Sequence, residues 1–71
     1  MTPSETNQHI MPREGVWAVQ REGAGGIVSV HPNKADAVAE GVALAKREGV
    51  DLVIHDSDGQ VVGRNFFRRA P

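Results

Sequence analysis

Apolar and polar positions alternate along "VWAVQRE" (16–22), which sets Trp17 and Val19 on one side of a strand and Val16, Ala18 and Gln20 on the other. The glycines of "GAGG" (23–26) can supply the positive φ values of a hairpin turn. "IVSVH" (27–31) then returns as a second strand, with Val28 and Val30 sharing a side. The period changes in "HPNKADAVAEGVALAKREG". Val38, Val42 and Ala45 form an i, i+4, i+7 stripe there, widened by Ala35, Gly41 and Leu44, while Glu40, Lys46, Arg47 and Glu48 take the wet side. Asn33 is placed to cap this helix, with Asp36 in its first turn, and Gly49 suits the left-handed residue that ends it. The many small residues, Gly41 among them, predict a helix lying close to a sheet.

Alternation resumes in "DLVIHDSDGQV" (51–61), and two registers compete for this second hairpin. A two-residue Asp58-Gly59 turn sets Ile54 opposite Gly63 and Val53 opposite Arg64. A three-residue turn, Ser57-Asp58-Gly59 with a left-handed Gly59, sets Ile54 opposite Val62 and His55 opposite Val61. The second puts Leu52, Ile54, Val62 and Phe66 on one face, and matched apolar faces fix register, so it is favoured. The expected fold is α+β, in ββαββ order: an antiparallel-rich sheet of two hairpins with one helix packed on one face. Residues 14–67 make the single domain. Residues 1–13, polar and carrying two prolines, read as a mobile leader that includes His9, and residues 68–71 as a C-terminal tail.

One helix covers one sheet face. On this reading that face holds Trp17, Val19, Val28, Val30, Leu52, Ile54, Val62 and Phe66. The other then carries Val16, Ala18, Ile27, Val53 and Val61 beside Gln20, Ser29, His31, His55 and Asn65. So much apolar surface on a small domain points to an interface. Val16, Ala18, Ile27, Val53, His55 and Val61 are its candidate residues, and a homodimer or an unidentified protein partner is the expected occupant.

Order and spacing carry a resemblance here. The Trp17-x-Val19 start, the helix entry His31 to Ala37 and the hairpin His55 to Val61 resemble the bacterial proteins grouped as domain of unknown function 2188, over roughly residues 15–65. Asn33 stands where that family usually has Thr, which keeps the cap, and the "NFFRRAP" end departs from its pattern. The resemblance implies no activity, because the family is uncharacterised.

Composition narrows the remaining choices. Seventy-one residues allow one domain and a thin core. Without cysteine there is no disulfide framework or thiolate metal cluster, and a reducing cytoplasm is the natural setting. No apolar run reaches the length of a signal peptide or a membrane span. The net charge of −1 disfavours general polyanion binding. Even so, Arg64, Phe67, Arg68 and Arg69, together with Phe66, combine cations and aromatics as a nucleic-acid contact would. His31 and His55 are the candidate metal ligands, with Asp56 or Asp58, but Asp58 is accounted for by the turn and Asp56 points away from His55 on a regular strand. Ser29 and His31 share a face with no acid behind them. The expectation is a non-enzymatic protein without metal or cofactor.

Overall fold

The computed structural model describes residues 6–23 and 26–68. Its elements are β1 (Gln8–Arg13), β2 (Val16–Arg21), β3 (Ile27–His31), α1 (Lys34–Glu48), β4 (Leu52–His55) and β5 (Val61–Asn65). The class is α+β and the sheet is mostly antiparallel, as the alternation implied. Both expected hairpins form, as β2–β3 and β4–β5, with the helix between them.

The N-terminal segment corrects the expected order. Residues 8–13 are not a leader but β1, the middle strand of a sheet ordered β3-β2-β1-β4-β5. It pairs antiparallel with β2 along its whole length and parallel with β4 through Gln8, His9 and Ile10. Ile10 is fully buried and stands between Val19 and Ile54. Pro12 lies beyond the stretch paired with β4, where β1 is bordered by β2 alone and a missing N–H is tolerated. A two-residue turn, Glu14 (φ 51°) and Gly15 (φ 88°), leads into β2.

The core lies between sheet and helix: Ile10, Val19, Ala37, Leu44, Ala45, Val50 and Leu52, flanked by Trp17, Val38, Val42, Ile54 and Phe67. The expected helix stripe is rotated. Ala37, Gly41 and Ala45 are its buried line, Val38 and Val42 flank it, and Ala35 is exposed. Smallness decides this, because a Cβ on Gly41 would stand 2.6 Å from Ile10 Cδ1 and 2.9 Å from Leu52 Cδ1. The caps are as expected. The Asn33 side chain accepts from the Asp36 N–H at 2.9 Å, and Gly49 is left-handed at φ 71°. The N–H groups of Gly49 and Val50 close the helix on the Lys46 and Ala45 carbonyls, and Val50 is buried under the last turn.

A bulge in each hairpin rearranges the faces. Residues opposed in register share a face, so Trp17 opposite His31 and Val19 opposite Ser29 bring His31 and Ser29 to the helix side. Val30, opposite Ala18, goes to the other side and is 55% exposed, and Val28 is the extra residue of the bulge. In β4–β5 both competing registers occur. His55 opposes Val61 beside the three-residue turn with Gly59 at φ 87°, but Ile54 opposes Gly63 and Val53 opposes Arg64 beyond it. Val62 takes up the difference and is exposed. Asn65, opposite Leu52, therefore faces the helix rather than the outer side. The residue that packs on the core from the C-terminal segment is Phe67, while Phe66, expected there, is 76% exposed.

Candidate functional site

The outer face carries His9, Met11, Val16, Ala18, Gln20, Ile27, Val30, Val53, His55, Val61 and Arg64. It exposes less apolar surface than the sequence suggests. Of the candidate interface residues, Ala18, Val53 and His55 are already buried within the chain and Val16 is half-buried; Ile27 and Val61 stay exposed. Exposed large apolar side chains collect on the two edge strands, as Ile27, Val28 and Val30 on β3 and Val61 and Val62 on β5, with Phe66 just after β5.

The polar cluster that the fold assembles is a different one from the expected pair. His31 and His55 do not converge, since His31 faces the helix and its Nε2 lies 2.9 Å from Ser29 Oγ. His55 meets His9 instead. His9 Nδ1 and His55 Nε2 are 2.8 Å apart, with ring centroids at 5.1 Å, and His55 Nδ1 donates to the Gly59 carbonyl at 2.9 Å. His9 Nε2 is buried without a hydrogen-bond partner, 3.7 Å from Glu22 Oε1. These groups border a shallow concavity of about 210 Å³ with Met11, Gln20, Arg21 and Gly23. Burial lowers the His9 pKa below the ordinary 6.5; Glu22 opposes that, and His55 and Arg64 add to it. The sequence pattern hides this pair, because residues 1–13 read as a leader. The signal was present, since a Glu14-Gly15 turn before "VWAVQ" makes "QHIMPR" a strand with His9 outward.

Two carboxylates hold the sheet ends. Glu48, at the end of α1, accepts from the two terminal guanidinium nitrogens of Arg21 (3.0 and 2.7 Å) and from the Gln8 amide (3.0 Å). The bond from Arg21 leads in holding its carboxyl below the ordinary range. Asp51, buried before β4, accepts from Arg64 Nε and Nη2 on one oxygen and from the Phe67 and Arg68 N–H groups on the other. Burial pushes the Asp51 carboxyl up, but the Arg68 N–H, the Arg64 guanidinium and the Phe67 N–H outweigh it and leave the pKa lowered. Asp56 binds the N–H groups of Asp58 and Gln60 and so shapes the turn.

The basic C-terminal candidates are therefore tied inward. Arg64 is on Asp51, the Arg68 guanidinium is on the Asn7 side chain, and Phe67 packs on the core with Lys46 Nζ 5.6 Å over its ring. Arg69 lies outside the described residues. Among the described residues, no group of three or more His, Cys, Asp or Glu side chains is arranged to hold a metal, and no helix is long and apolar enough to cross a membrane.

A five-stranded mixed sheet with one capped helix, joined by two bulged hairpins, defines a small α+β module. The family model "Uncharacterized protein conserved in bacteria (DUF2188)" matches residues 8–67, and the chain belongs to that family. The match begins at the first residue of β1, in keeping with that strand's place in the fold. The chain is also similar to the uncharacterised protein YdaT of Bacillus subtilis (strain 168), 28% identical over 54 residues. That stretch is 76% of this chain but 36% of YdaT, so the chain spans about a third of its relative. No solved structure matches.

Proposed function

We propose that this protein is a non-enzymatic interaction module that self-associates through the sheet side opposite the helix, along the rims formed by β3 and β5. The observation that carries this is the exposure of Ile27 and Val30 on one edge strand and of Val61 on the other, all on that side, with Val28 and Val62 exposed beside them at the bulges. Edge strands also offer unpaired backbone groups, and solvent-facing edges of soluble domains are ordinarily blunted with charge or proline. Here the edges are valine-rich. The polar groups nearest to chemistry are engaged within the fold: Ser29 with His31, and His55 with His9 and Gly59. A dimer built on these rims, in the reducing cytoplasm that a cysteine-free chain suits, is the working picture.

Sedimentation velocity across micromolar concentrations tests the reading. The wild type is expected to associate, and Val30→Lys with Val61→Lys to return it to a monomer that still unfolds cooperatively, at a temperature independent of concentration. A wild type that stays monomeric at all concentrations removes the proposal. We favour this over nucleic-acid binding because Arg64 and Arg68 are spent on Asp51 and Asn7. A labelled duplex or single strand at low salt should accordingly show no shift that Arg64→Ala abolishes.

A further inference from the structure

We propose that His9, His55 and Glu22 form a clasp, closed by a proton on His9 Nε2, that links the β2–β3 loop to the β4–β5 turn. The hydrogen bonds fix the proton positions. A carbonyl only accepts, so His55 Nδ1, 2.9 Å from Gly59 O, carries a hydrogen. In the neutral ring His55 Nε2 is then an acceptor, and His9 Nδ1, 2.8 Å away, donates to it. That leaves His9 Nε2 as a bare lone pair in the uncharged pair. It is buried, lacks a partner, and faces a carboxylate oxygen 3.7 Å off, beyond hydrogen-bond reach.

One added proton resolves this. Placed on His9 Nε2, it turns two opposed acceptors into a donor and a carboxylate, and the chain runs from Gly59 O through His55 and His9 to Glu22. The charged groups facing His9 are Glu22 at the end of β2, His55 on β4 and Arg64 on β5. Arg21 borders the same concavity, but its guanidinium is held by Glu48. Glu22 is in turn fixed to the start of β1, where its Oε1 accepts from the Asn7 N–H at 3.2 Å and its own N–H donates to Asn7 O at 3.0 Å. Protonated His9 on β1 therefore faces Glu22 at the end of β2 while it holds His55 on β4, and burial of its ring opposes the uptake.

Histidine nitrogen NMR with the wild type and Glu22→Gln tests the clasp. At pH 8 both rings are expected in the form protonated at Nδ1, the less common neutral tautomer of free histidine. As pH falls below 6.5, His9 Nε2 should take up a proton with a midpoint below the ordinary value, while the His55 Nδ1–H stays on the Gly59 carbonyl. Glu22 is exposed, so Glu22→Gln should fold normally and move the His9 midpoint down by about half a pH unit. A His9 ring protonated at Nε2 at pH 8, or an unmoved His9 midpoint in Glu22→Gln, overturns the proposal.

Discussion

Asp51 joins parts of the chain that lie far apart in sequence. Its carboxylate gathers the Arg64 side chain and the main chain of Phe67 and Arg68, its N–H donates to Asn7 Oδ1, and its carbonyl accepts from the Gln8 N–H. Asp51→Ala leaves several of these groups unsatisfied, and urea unfolding should record a loss of about 2–4 kcal/mol. The pH dependence has two stages. Asp51 and Glu48 are held below their ordinary values, so their stabilisation is full above those values and is lost as pH falls through the folded ones. His9 is also lowered, so the unfolded chain binds its proton first, and stability declines as pH falls from 6.5 toward the folded value. Melting temperatures measured from pH 8 to 3 should fall in these two windows, with Asp51→Asn reducing the acidic one. Residue chemistry of this kind was legible only where it was local. The Asp58-Gly59 turn could be read from adjacent residues, whereas nothing near Asp51 in sequence announces donors at 64, 67 and 68.

Elements were legible wherever pattern and punctuation agreed. The cap at Asn33, the stop at Gly49 and the close approach at Gly41 are all consequences of side-chain size and local backbone preference. Gly41→Val would drive new atoms into Ile10 and Leu52, and thermal unfolding should show a loss of about 2 kcal/mol or more. The Glu14-Gly15 turn makes the opposite prediction. Glu14 holds a left-handed backbone that suits Asn better, so Glu14→Asn should stabilise the fold by about 0.5–1 kcal/mol. The bulges at Val28 and Val62 were not legible. Alternation assumes one residue per position, and a single inserted residue reverses every face beyond it. That reversal carried Val30 outward and brought His31 and Ser29 to the helix side.

At the scale of the whole molecule, the decisive feature is that the middle of the sheet comes from residues that look least like a strand. β1 buries Gln8 and Ile10 and is bordered by β2 and β4, so it joins the two hairpins into one sheet. Deleting residues 1–13 should therefore abolish cooperative unfolding by circular dichroism, where loss of a mere leader would leave it intact. The edges have the opposite character. β3 and β5 carry the exposed valines, so Val30→Lys and Val61→Lys should leave the monomer's stability within about 0.5 kcal/mol of wild type while removing association.

The amino-acid sequence by itself determined the local units: two hairpins, a helix with both ends marked, the α+β class, and the family, through three short motifs in order. These depend on periodicity, caps and turns, which act over a few residues. Only the tertiary structure decided which segment is central, which face each valine takes and which histidine meets His55. A strand such as "QHIMPR" has too little alternation to declare itself. It is held by partners supplied from Val16–Arg21 and Leu52–His55, and with it His9 is carried to within hydrogen-bond distance of His55.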